Sequence, residues 1–148
     1  MALDQAFVGR SYGPGPVYEV GREKIREFAD AIGDTNEAYR DPEVARKLGH
    51  PDVIAPPTFP VVMSMRASAE LVADPELGLD YSRVVHGEQR FAYSRPVHAG
   101  DRLVSVLTVD SIRSAGGNDL LGTRTELRTP EGELVVTAYS TIVARGTA

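Results

Sequence analysis

No cysteine occurs among the 148 residues. Disulfides, thiolate metal sites and a cysteine nucleophile are therefore excluded, and the chain fits a reducing, cytoplasmic compartment. Histidine is scarce: His50, His86 and His98 are the only three, at positions without ligand spacing. No metal site is expected from them. Basic residues form no cluster, and the formal net charge is −5. A nucleic-acid partner needs a positive face, so none is expected. No apolar run approaches the ~18 residues of a membrane span. The opening Met1-Ala2-Leu3-Asp4-Gln5 carries an acid and no basic n-region, so it does not read as a secretory signal. The glycine pairs and Gly-Asp turns precede no helix, so no phosphate cradle and no cofactor are expected. Repeats, low-complexity tracts and linkers are absent, and residues 1–148 read as one domain.

What is present divides into a helical first half and a stranded second half. Residues 10–21 are rich in glycine and proline, with a short strand suggested by Val17, Tyr18 and Val20. Ile25, Phe28, Ala29 and Ile32 form one stripe of an amphipathic helix, which Gly33 is placed to end. Asp41 reads as the N-cap of a second helix, with Pro42 at its first position and Gly49 closing it. Thr58 reads as the cap of a third helix from Phe59 to Ala73. That helix is apolar on nearly every side, the pattern of a buried element.

After Tyr81 the period changes to two. Strands are predicted over 84–93, 103–113, 120–129 and 134–144. Turns at His98-Ala99-Gly100-Asp101, Ala115-Gly116-Gly117-Asn118 and Pro130-Glu131-Gly132 read as hairpin connections. The expected fold is α+β: an antiparallel meander wrapped around one buried central helix. Its free edges predict a two-fold dimer.

Three segments resemble the MaoC-like (R)-hydratase/dehydratase family of the hot-dog superfamily. They are Phe28-Ala29-Asp30-Ala31-Ile32-Gly33-Asp34-Thr35-Asn36-Glu37-Ala38-Tyr39, the loop from Gly49 to Phe59, and the segment from Val85 to Asp101 containing Arg95-Pro96. The opening Met1-Ala2-Leu3, the helix start Gly21-Arg22-Glu23-Lys24-Ile25 and Ala55-Pro56-Pro57-Thr58-Phe59 are most similar to accessory, non-catalytic subunits of (3R)-hydroxyacyl-ACP dehydratases. The resemblance implies an acyl-CoA or acyl-ACP ligand. It also implies either a homodimer or a heterodimer with a catalytic MaoC-like subunit.

Hydration or dehydration of a 3-hydroxyacyl thioester needs an acid/base pair for the C2 proton and C3 hydroxyl. It also needs a donor for the charge developing on the thioester oxygen. The resemblance assigns the motif's Asp to Asp34 and its Asn to Asn36. Tyr39 stands where the family has His, and an unperturbed Tyr, with a pKa near 10, is a poor base at pH 7. Pro56-Pro57 stands where the family has His-Gly, and proline has no N–H to offer; Thr58 or Phe59 remains as a donor. His86 is a candidate replacement base. Arg90 and Arg95 are candidate phosphate partners, because phosphate suits arginine forks. The expected catalytic group is thus Asp34, Tyr39 and His86, and the expected binding group is Asn36, Pro56, Pro57, Thr58, Arg90 and Arg95. Each has a plainer reading beside it: Asp34 as a turn residue, Tyr39 as packing, His86 as a structural strand residue, and both arginines as solvated strand ends. Three functions follow: a binding subunit served by a catalytic partner, a self-sufficient hydratase, or a homodimeric acyl-binding module.

Overall fold

A computed structural model describes residues 2–146; Met1, residue 147 and residue 148 lie outside the described residues. Helix α1 spans Arg22–Ala31 and buries Ile25 and Ala29. Gly33 (φ +73°) turns the chain out of it, with Gly33 N–H donating to Asp30 O and Asp34 N–H to Ala29 O. This double closure satisfies carbonyls that a helix end otherwise leaves open. Helix α2 spans Pro42–Lys47, and the Asp41 carboxylate accepts the Glu43 N–H as expected of its cap.

The third helix, α3, spans Val61–Ala73. Its N-cap is Pro60, with no side-chain cap, rather than Thr58. The reason is that residues 56–60 form a turn of their own, in which Phe59 N–H donates to Pro56 O and Val61 N–H to Thr58 O. Nor is the helix enclosed on every side. Met63, Ser64 and Leu71 are buried, whereas Met65 is 55% exposed and Ala69 is exposed with it. The sheet of one chain covers one side of the helix and leaves the other bare.

The strands are β1 (Ser11–Tyr12), β2 (Tyr18–Glu19), β3 (Val84–Tyr93), β4 (Arg102–Ala115), β5 (Asn118–Arg128) and β6 (Leu134–Ala144). All pairings are antiparallel. The order is β1-β4-β5-β6-β3, with β2 also on β4. Strands β4 and β5 form a hairpin through Gly116 and Gly117, both at positive φ, the geometry a two-residue turn needs. Strand β3, however, lies beside β6, so the sheet is not the expected meander and residues 98–101 are not a hairpin. The backbone around that turn finds other partners: Ala55 N–H donates to Val97 O, Ala99 N–H to Val53 O and Gly100 N–H to Val20 O. The turn is thereby pinned to the segment before α3 and to Val20, and the chain crosses from the β3 edge to β4, on the far side of β6 and β5. Strand β1, which sequence periodicity does not reveal, pairs with β4 at Leu107 and Thr108.

The helix-facing side of the sheet carries the core. One cluster joins Ile25, Ala29, Tyr39, Val53, Phe59, Met63, Leu103 and Leu127. A second joins Phe7, Leu71, Leu107, Val109 and Leu121. The alternating burial along β5 places Leu121 and Leu127 inward, and Gly122, Arg124, Glu126 and Arg128 fall on the opposite face by the two-residue period of a strand.

Candidate functional site

The turn that ends α1 delivers Asp34 directly to the motif segment. Its carboxylate accepts the Asn36 N–H at 3.1 Å, and the Asn36 side chain accepts the Ala38 N–H at 2.9 Å. These two local turns build the short 3-10 turn Glu37–Tyr39. Arg40 braces them from outside, donating to Asp34 O at 2.7 Å and to the Asp30 carboxylate at 2.6 Å. Tyr39 emerges from this frame only 7% exposed. Burial, and then the charge of Asp34, push its phenol above the ordinary value of 10, with Asn36 opposing. The structure therefore brings Asp34, Asn36 and Tyr39 together and leaves Tyr39 a protonated donor at neutral pH.

The facing wall is the segment 54–58. Tyr93, the last residue of β3, reaches across and donates its hydroxyl to Pro57 O at 2.6 Å. Burial holds that phenol well above 10, so it too is a donor. Between the walls lies a cavity of about 400 Å³ whose lining includes Tyr39, Ala55, Pro57, Tyr93 and Arg95. Pro56, Pro57 and Pro60 have no N–H, and Phe59 N–H is taken by Pro56 O. Thr58 N–H has no acceptor among the described residues, which leaves it as the free donor at the start of α3.

The remaining candidates are placed elsewhere or already engaged. Arg95 donates to both oxygens of Asp101, at 3.0 and 2.9 Å, to Glu133 at 3.0 Å and to Pro96 O at 3.0 Å. Asp101 is 5% exposed and also accepts the His98 N–H. Arg95 thus ties β3 to the turn before β4, with its pKa raised chiefly by Asp101. The Arg90 guanidinium carbon sits over the Tyr139 ring, 3.8 Å from its centroid, in a shallow polar depression with Glu88 and Asp110. Strand alternation puts it on the sheet face away from Tyr93. His86 stands seven residues before Tyr93 on the same strand, roughly 23 Å away at strand rise. It lines a different, mostly apolar groove of about 360 Å³ with Met65, Ser68, Ala69, Val72 and Tyr81. Among the described residues no three His, Asp or Glu side chains converge as a metal site would require.

Residues 6–138 match the family described as FAS1-like, dehydratase domain region. The chain belongs to that family. This FAS1-like dehydratase-region chain is 63% identical to a UPF0336 protein of Saccharopolyspora erythraea, over 100% of its own length and 95% of the relative's. It is 31% identical, with a TM-score of 0.85, to a chain of the C-terminally truncated HadBC (3R-hydroxyacyl-ACP dehydratase) complex of Mycobacterium tuberculosis, covering 93% of this chain and 96% of that one. It is also similar to a MaoC-like dehydratase, 34% identical with a TM-score of 0.88, matching 95% of this chain and 42% of that longer one. The hot-dog fold and the dehydratase-like family are thereby shown.

For a FAS1-like dehydratase-region chain, Tyr93 is the site residue that sequence reasoning passed over. A signal was available: Phe91 is a large apolar residue in a predicted strand, and the two-residue period puts residue 93 on the same face, which the structure packs against the core at Phe91.

Proposed function

We propose that this chain is the acyl-thioester-binding, non-catalytic half of a (3R)-3-hydroxyacyl-thioester dehydratase. A second hot-dog chain supplies the acid/base pair, and the ligand is an acyl-CoA or acyl-ACP. One observation carries the reading: the motif's base position holds Tyr39, a buried phenol pushed above 10 by burial and by Asp34. Dehydration requires a base to take the C2 proton and an acid to protonate the departing C3 hydroxyl. A phenol that stays protonated at pH 7 supplies only the second half of that exchange.

The surroundings support a partnered assembly. Strand β3 pairs with β6 on one side and closes the sheet's order on the other, an edge of the kind that invites another strand. Beside it lie the exposed Met65, Tyr81 and Val85 and the apolar groove of about 360 Å³. The similarity to a chain of a heteromeric (3R)-hydroxyacyl-ACP dehydratase favours a hot-dog chain as the partner. A self-sufficient hydratase is the second reading, favoured by Asp34 and Asn36 keeping the motif's identities and standing beside Tyr39.

The test is loss of enoyl absorbance with purified chain, crotonyl-CoA and longer (2E)-enoyl thioesters. Losing a positioned base removes about 10²–10⁴ of rate, so the chain alone is expected to turn over weakly. Tyr39→His alone is expected to fall short of full activity, because Pro57 still offers no N–H. Robust turnover by the unmixed chain, abolished by Asp34→Asn, overturns the proposal in favour of the second reading.

A further inference from the structure

We propose that the cavity between residues 12–18 and α3 is a second ligand site, built for a small apolar molecule carrying one carboxylate, with Arg66 as its anchor. The proposal does not depend on the acyl-thioester reading. The cavity measures about 340 Å³, and its lining includes Pro16, Val17 and Tyr18 on one side and Met63, Arg66 and Glu70 on the other. It is held open from the side of the sheet. Tyr12 pairs with Leu107 and Tyr18 with Leu103, both on β4, and Gly15 N–H donates to Ser105 O at 3.1 Å. Gly13 lies so close to Ser105 O that a Cβ there would meet it at 2.6 Å. The Tyr12 hydroxyl is spent on Asp74, just past the end of α3, at 2.7 Å. The segment is thus drawn onto β4 rather than collapsed on α3, and a preformed space spares a ligand the cost of making one.

Arg66 sets the chemistry of the space. Arg66 and Glu70 are the only charged residues of α3. At i,i+4 they share a face, but with the arginine N-terminal, the poorer order for an ion pair. The guanidinium turns instead to the Tyr18 ring, 5.2 Å from its centroid. Among the described residues the Arg66 side chain makes no hydrogen bond or ion pair, so its fork of donors is unspent. Stacking on a ring leaves the N–H edges free for a carboxylate, which they match in a bidentate geometry. Lys24 stands close by: Glu27 raises its pKa, and the charge of Arg66 opposes that rise. Two cations thus face each other beside Tyr18, and an anion placed there relieves the repulsion. Glu70, one turn further along, disfavours an anion at its own end and so fixes the carboxylate beside Tyr18. Pro16, Val17 and Met63 offer apolar contact for the body of the ligand, and Val17 is 41% exposed without one.

The test is titration of the whole chain with octanoate, and with octanol as the uncharged control, read by amide NMR and calorimetry. Octanoate is expected to shift the amides of residues 15–18 and 63–70 and to bind about tenfold more tightly than octanol, the effect of charge-assisted hydrogen bonds. Arg66→Gln should weaken octanoate about tenfold and leave octanol unchanged. Arg66 is exposed, so this variant should melt as the wild type does. Glu70→Gln should tighten octanoate by about twofold, because a like charge is removed. Equal binding of octanoate and octanol, or an octanoate affinity unchanged by Arg66→Gln, overturns the carboxylate anchor. Absence of any shift at residues 15–18, including the case where shifts are confined to residues 54, 55 and 93 of the cavity beside Tyr39, overturns the second site and leaves the acyl reading standing.

Discussion

Replacing Arg95 by Met separates two roles for this residue, staple or phosphate partner. Its guanidinium binds both oxygens of Asp101 and one of Glu133, and the Arg95 side chain is 27% exposed against 5% for Asp101. Removing one partner of a buried pair costs about 3–5 kcal/mol, because the remaining charge is left uncompensated. Asp101 keeps the His98 N–H at 2.9 Å, and Arg95 is partly wet, so the expected loss sits at the low end, about 3 kcal/mol. At about 2–4 °C per kcal/mol for a chain of this size, Tm should fall by roughly 6–12 °C. Adding Asp101→Asn should recover part of that loss, since a neutral amide oxygen still accepts from His98 without a stranded charge. The raised Arg95 pKa means its contribution is fully present throughout the neutral range and is lost only in strong alkali, as pH rises through the folded value. The loss in the variant should therefore not vary with pH in the neutral range on Arg95's account. Denaturant and thermal melts give the numbers. A loss below about 1 kcal/mol, combined with severalfold weaker acyl-CoA binding, refutes the staple and makes Arg95 a phosphate partner.

Two further outcomes are expected. Arg22 holds the Asp52 carboxyl below its ordinary value, helped by the Val53 N–H against the opposing effect of burial. A depressed carboxyl contributes stability above its unfolded pKa and loses it as pH falls through the folded value. Arg22→Gln should therefore narrow the stability gap between pH 7 and pH 3 in acid melts, and an unchanged gap counts against the pairing. The open β3 edge and the bare side of α3 predict a dimer when the chain is purified alone. Sedimentation showing a monomer at micromolar concentration counts against edge-to-edge pairing, and a Val85→Lys variant should weaken the dimer if β3 forms it.

Local chemistry was legible without coordinates. Gly33 and Gly49 act through their own backbones and Asp41 through a carboxylate that reaches an N–H two residues on, so the ends of α1 and α2 could be read directly. The two-residue period likewise marked β3 and β6 residue for residue, because alternation is a property of a single strand. The Asp34-Thr35-Asn36 turn and the substitution at Tyr39 were visible for the same reason. What the sequence could not carry is which strand lies beside which. Strand β3 joins β6 because residues 97–100 are claimed by Val20, Val53 and Ala55, contacts tens of residues away that no local pattern encodes. The bare side of α3 is equally hidden, since an apolar side chain reads the same whether its own sheet covers it or nothing in the chain does. The separation of His86 and Arg90 from Tyr39, the capture of Arg95 by Asp101 and the reach of Tyr93 to Pro57 were settled by tertiary structure alone. Each depends on the face of a strand and the distance between elements, and those are set by packing.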